Sequence, residues 1–63
     1  MTDWYVEYLD LQNNGREMQS RHYDRRELAI AAARDLMHLL KNYKVIRVVG
    51  SGGEVVELSE IQR

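Results

Sequence analysis

The segment that decides the fold is residues 23–42, which have the sequence YDRRELAIAAARDLMHLLKN. Asp24 is a favourable N-cap residue, and Glu27 follows it at the spacing of a capping box. Tyr23 before the cap and Leu28 after it are spaced as a hydrophobic staple. The segment therefore predicts a helix with a well-defined entry.

The apolar residues of this segment recur with helical periodicity, which predicts a helix from Arg25 to about Lys41. Its alanines would let the helix lie close to a sheet. The expected core face consists of Leu28, Ala29, Ala32, Ala33, Leu36, Leu39 and Leu40.

The residues before the helix predict a β-hairpin. Residues 4–11 are rich in aromatic and β-branched side chains, which is typical of a strand. Asn14-Gly15 favours a two-residue type I′ turn, with residues 16–22 as a more polar edge strand. This register would place Glu7 opposite His22.

The residues after the helix predict a second hairpin, formed by residues 44–49 and 54–58. The loop Ser51-Gly52-Gly53 would use a glycine in the left-handed conformation. This register would place Val48 opposite Val56, Val49 opposite Val55 and Arg47 opposite Glu57. Residues 59–63 are expected to form a short helical turn or a tail.

The predicted architecture is a single α+β domain over residues 1–63 with the element order β-β-α-β-β. If strand three lies beside strand one, the sheet is antiparallel throughout and has the order 2-1-3-4. One helix would then cover one face of this sheet.

Both faces of the predicted sheet carry apolar side chains. We expect Trp4, Val6 and Tyr8 to face the helix together with Tyr23. The uncovered face is then a candidate interface for a homodimer or another protein. The alternatives are ordinary scattered apolar residues, or a β-bulge near residues 8–9 that changes the facing. The candidate residues of this face are Tyr5, Leu9, Leu11, Met18, Val45, Val49 and Val55.

A second candidate surface is a stripe along the helix, where basic residues alternate with two apolar ones. It could bind an acidic protein or a phosphate backbone. The alternative is that Ile30 and Met37 flank the core while the charged residues are solvated. The stripe consists of Arg26, Ile30, Arg34, Met37 and Lys41.

Composition argues against several classes of protein. The chain contains no Cys, and its 9 basic and 10 acidic residues give a net charge of −1, whereas nucleic-acid-binding domains are usually basic. Neither a signal peptide nor an apolar run long enough to cross a membrane is expected, so a cytoplasmic protein is predicted.

No residue pattern predicts catalysis, a cofactor or a metal site. His22 and His38 are the only histidines and lack metal-ligand spacing. The glycines around Ser51 are followed by a strand rather than a helix, which favours a turn over a phosphate-binding loop. A chain of this length also rarely encloses a ligand cavity, so an enzyme is not expected.

Nucleic-acid binding is the alternative function. Arg21 and Arg47 would lie near Trp4, Tyr5 and Tyr8, and aromatic side chains on a sheet can stack on RNA bases. Acidic residues among them, and the absence of an RNP-type motif, argue against it.

Nearly the whole chain takes part in one pattern: Trp4-x-Val6, Asn14-Gly15, the Ala-rich helix at residues 27–34, the valine-rich strand at residues 45–49, and Gly53. In this layout it resembles small β-β-α-β-β proteins of unknown function from bacteria and their phages, an architecture shared by some anti-CRISPR proteins. The resemblance implies an accessory protein that binds another macromolecule, such as a phage-encoded inhibitor, and assigns no functional residues. The leading prediction is accordingly a small non-enzymatic interaction or inhibitor protein.

Overall fold

The computed structural model of the chain describes residues 3–39 and 41–62. The sheet is antiparallel with the order β2-β1-β3-β4, and α1 packs against β1 and β3. The predicted α+β class and strand order are therefore confirmed. The elements are β1 (Trp4–Asp10), a 3-10 turn (Leu11–Asn13), β2 (Arg16–Gln19), α1 (Arg26–Met37), β3 (Tyr43–Gly50), β4 (Val55–Val56) and α2 (Leu58–Ile61).

The first hairpin turn is longer than predicted. Asn14 and Gly15 have φ angles of 61° and 72°, as the Asn-Gly pair predicts. Before them, however, a carboxylate oxygen of Asp10 accepts a hydrogen bond from the Gln12 backbone N–H at 3.1 Å. The other oxygen accepts one from the Asn13 side-chain amide at 2.7 Å. Asp10 thus caps a 3-10 turn that the predicted two-residue loop did not include.

The extra turn changes the register of the hairpin. Leu11 leaves the strand, and Glu7 pairs with Gln19 instead of the predicted His22, which is a shift of three residues. Because neighbouring residues of a strand point to opposite faces, an odd shift exchanges the faces. Met18, which was predicted on the uncovered face, pairs with Tyr8 and therefore lies on the helix side of the sheet.

Between β2 and α1, the hydroxyl of Ser20 accepts a hydrogen bond that a backbone carbonyl would accept in a regular β-ladder. The Ser20 backbone N–H donates to the carbonyl oxygen of Val6, and the Val6 N–H donates to the Ser20 hydroxyl at 2.8 Å. Tyr23 then pairs with Trp4 through two backbone hydrogen bonds of 2.7 and 2.8 Å. This bridge fixes the direction in which the chain enters the helix.

The predicted helix cap and staple are wrong. α1 begins at Arg26, and its N-cap residue is Arg25, which makes no side-chain capping hydrogen bond. Asp24 therefore lies one residue too early to be the cap. Leu28 is 47 % exposed and does not belong to the core. The backbone bridge to Tyr23 supplies the restraint that the staple would have supplied.

The core face of α1 is rotated relative to the prediction. Ala29 and Ala33 are buried, and Ile30 and Met37 pack beside them, whereas Leu39 is exposed. The helix also ends at Met37, four residues before the predicted Lys41. Of the other predicted core residues, Ala32 and Leu36 pack against the core, and Leu40 lies outside the described residues.

A β-bulge in β3 places two valines, three residues apart, on the same face. Val6 pairs with Val48, and the register then shifts so that Tyr8 pairs with Val45 and Ile46 is the extra residue. Both Val45 and Val48 are consequently buried. The prediction that placed Val45 on the uncovered face is wrong because it assumed regular alternation.

The second hairpin has the predicted register where it is formed. Val48 pairs with Val56 and Val49 with Val55, and Gly53 has a φ angle of 92°. β4 stops after two residues, so the predicted Arg47–Glu57 pair does not form, and α2 follows.

The core lies between the sheet and both helices. The short helical turn predicted for the last residues is present as α2, and its Ile61 is completely buried in this core, which the sequence analysis did not predict. Trp4, Tyr8 and Tyr23 pack against the core around Val6, as predicted. The buried cluster consists of Val6, Ala29, Ala33, Val45, Val48, Val56 and Ile61.

Candidate interaction surface

One face of the sheet has no helix packed on it in residues 3–39 and 41–62. Both helices bury their side chains in the cluster that contains Val6 and Val48, and so they lie on the same side of the sheet. Residues that alternate with those two valines point the other way. We call this surface the open face. Its members include Tyr5, Glu7, Leu9, Glu17, Gln19, Lys44, Ile46, Arg47, Val49 and Val55.

An apolar row crosses the open face at one end. Tyr5 of β1 pairs with Val49 of β3, which pairs with Val55 of β4. His22 extends the row on the other side, because its ring stacks on that of Tyr5 with the centroids 4.8 Å apart and 15° between the planes. Val55 is 48 % exposed. The row spans three strands, which is unlike the scattered apolar residues of an ordinary surface.

An ion pair lies at the centre of the open face. Glu7 is the middle residue of β1, and its carboxylate accepts a hydrogen bond from the guanidinium of Arg47, its cross-strand partner in β3. The side chain of Glu7 is 26 % exposed and that of Arg47 is 45 % exposed. The pair is therefore accessible to a second molecule.

The β-bulge forms a shallow depression beside this ion pair. The depression has a volume of about 240 Å³, and Ile46 lines it together with polar side chains such as Glu17 and Gln19. Sequence reasoning missed Ile46, because a regular strand would turn it toward the helix. The bulge that the sequence offered as an alternative near residues 8–9 would have lain in β1, whereas the extra residue is Ile46 of β3, opposite the step from Glu7 to Tyr8.

The structure brings together four of the seven predicted sheet-face residues, namely Tyr5, Leu9, Val49 and Val55. The other three lie elsewhere. Val45 is in the core and Met18 lies in register on the helix side. Leu11 is 42 % exposed in the 3-10 turn, where it lines a cavity with Met37 and Leu58.

Two basic residues of the predicted helix stripe contact α2. The guanidinium of Arg26 forms a 2.9 Å ion pair with Glu60, and Arg34 Nε donates to the carbonyl oxygen of Ile61 at 2.8 Å. Ile30 and Met37 pack against the core, which confirms the alternative for these two residues. Lys41, the last member, is exposed in the turn after the helix.

The predicted nucleic-acid residues are not on one surface. Arg21 lies over the ring of Tyr23, 5.4 Å from its centroid, and that ring packs against the core on the helix side. Arg47, by contrast, lies on the open face and is paired with Glu7.

Within residues 3–39 and 41–62, no three histidine, aspartate or glutamate side chains are grouped so that they could hold a metal ion. None of the helices in this described part is long and apolar enough to span a bilayer.

Comparison of the chain with protein-family models, with curated proteins and with solved structures gives no significant match. The resemblance to small bacterial and phage proteins therefore stays a prediction.

Proposed function

We propose that this chain is a small, non-enzymatic interaction protein that binds a protein partner through the open face. The observation that carries this proposal is the apolar row of Tyr5, Val49 and Val55, which crosses three strands and is not covered by a helix of residues 3–39 and 41–62. Contiguous exposed apolar surface of this kind is typical of interaction sites, because its burial excludes water from it.

The distribution of charges supports a protein partner over nucleic acid. Arg47 of the open face is already paired with Glu7, and Glu17 lines the depression beside them. A surface that tracks a phosphate backbone needs several cations free to replace counterions. A partner with an apolar centre and a mixed polar rim fits the open face better.

The same surface supports a binding role over catalysis. The depression beside Glu7 and Arg47 is open, with a volume of about 240 Å³, whereas small-molecule sites are usually larger, at roughly 300–1,000 Å³. Two of its lining residues, Arg47 and Glu7, form an ion pair with each other.

Site-specific photo-crosslinking tests the proposal. A photoreactive residue at position 49 of the full chain, in cells that produce the protein, is expected to give discrete protein adducts. The matched control carries the same residue at position 31, which is exposed on α1 away from the core. Adducts with nucleic acid from position 49, or the same protein adducts from both positions, would overturn the proposal.

A further inference from the structure

The open face has a charge arrangement that is complementary to itself. Its two central strands, β1 and β3, present three rows of paired residues: Tyr5 with Val49, Glu7 with Arg47, and Leu9 with Lys44. Each row has one member on either strand, and the ion pair occupies the middle row. An operation that exchanges β1 with β3 therefore exchanges a negative charge with a positive one.

We infer that a second copy of this chain packs on the open face, related by a two-fold axis that runs parallel to the strands between β1 and β3. This rotation places Glu7 of each copy against Arg47 of the other copy. It also places Tyr5 against Val49 of the second copy, so the apolar rows meet each other. The inference rests on the proposed function, because it names the partner of the same surface.

The other two-fold axis in the plane of the sheet does not satisfy the charges. An axis that runs across the strands, through the middle row, places Glu7 against Glu7 and Arg47 against Arg47. Like charges in direct contact are unfavourable, and such juxtapositions suppress incorrect pairings. Stacked sheets keep their strands within about 30° of each other, so the middle row, at the centre of the interface, is the least displaced by their twist.

The dimensions of the molecule are of the order that a stable dimer needs. The two longest dimensions of the Cα trace are 33 Å and 23 Å, which bound a rectangle of about 760 Å². A standard stable interface buries about 800 Å² per partner. A dimer therefore needs nearly the whole face, and no helix of residues 3–39 and 41–62 packs on it. The added apolar burial would also support a chain whose own core is small.

Charge reversal followed by mixing tests the inference. Glu7→Arg gives a face with two positive charges in the middle row, and Arg47→Glu gives one with two negative charges. Each variant alone is expected to dimerise at least about tenfold more weakly than the wild type. An equimolar mixture is expected to form heterodimers, and the double variant Glu7→Arg/Arg47→Glu to recover the wild-type affinity. Analytical ultracentrifugation measures the dimer affinity of each variant and of the mixture. Circular dichroism shows whether each variant is folded.

The matched control is Asp35→Arg, an equal charge change on an exposed helix position, which is expected to leave dimerisation unchanged. A wild-type chain that is monomeric at high micromolar concentration overturns the inference. So does a dimer that both reversals leave intact, or a mixture that stays monomeric. Crosslinks from position 49 to a different protein, with a monomeric chain, would overturn the second-copy inference while supporting the proposed function.

Discussion

The indole ring of Trp4 lies directly over Gly50, its cross-strand partner at the end of β3. A Cβ atom built on Gly50 would be 2.9 Å from Cζ3 of Trp4, and 2.7 Å from a carboxylate oxygen of Glu54. The absence of a side chain at Gly50 is therefore what allows the tryptophan to pack against the core there.

We expect Gly50→Ala to lower the free energy of unfolding by about 1–3 kcal/mol, because overpacking forces the ring to move. Chemical denaturation followed by tryptophan fluorescence measures the change. Gly52→Ala is the control, since its Cβ would meet only the flexible side chain of Glu54. Equal effects of the two substitutions would contradict the prediction.

Ser20→Ala is expected to lower the free energy of unfolding by about 1–3 kcal/mol, because the backbone N–H of Val6, a completely buried residue, would lose its acceptor. Hydrogen exchange of the Val6 amide, measured by NMR, should become faster. Ser51→Ala is the control, because the Ser51 hydroxyl accepts a similar backbone hydrogen bond in an exposed position. Unchanged protection of the Val6 amide in Ser20→Ala would show that the hydroxyl is dispensable.

Ile61→Ala is expected to lower the free energy of unfolding by about 2–5 kcal/mol, because it removes a completely buried side chain and leaves a cavity beside α1. In so small a domain this is a large share of the total stability. Thermal unfolding of Ile61→Ala and of Leu28→Ala, which truncates a half-exposed leucine, tests this prediction. A smaller effect at Ile61 than at Leu28 would mean that α2 is not docked as described.

Lysine substitutions at two valines of β3 should have different consequences. Val45→Lys is expected to unfold the chain, because it places an unpaired charge in the core. Val49→Lys should remain folded and lose association through the open face, since Val49 lies on that face. Circular dichroism and sedimentation separate the two outcomes. Two folded variants, or two unfolded ones, would contradict the assignment of faces.

The parts of the fold that sequence predicts are those determined by local pattern. The helix is visible from its apolar spacing, and the pairing of Val48 with Val56 follows from a short loop with Gly53 in the left-handed conformation. The side of the first hairpin that faces the helix also follows, because Val6 and Tyr23 share it.

The parts that sequence does not predict depend on side chains that compete with the regular backbone pattern. The Asp10 carboxylate starts a 3-10 turn and shifts β2, and the Ser20 hydroxyl takes a place in the ladder. Ile61 becomes a core residue because α2 docks on α1 and β3. The apolar spacing of Leu58 and Ile61 in the C-terminal segment was the available signal for this docking.

The candidate surface was predicted in part for the same reason. Alternation along β1 correctly indicates Tyr5 and Leu9, because β1 is regular. Alternation along β3 fails at the bulge, so it includes Val45 and omits Ile46. A period-two pattern cannot show where one residue is added to a strand.

The bulge at Ile46 also makes the two central strands unequally tolerant of a change in length. β3 has one residue more than its ladder needs, so a chain that lacks Ile46 keeps Val45 and Val48 inside, opposite the same neighbours. β1 has no such spare residue, and the loss of Glu7 would turn Tyr8 outward. Among descendants of this sequence, single-residue gaps should therefore accumulate in β3 and be rare in β1.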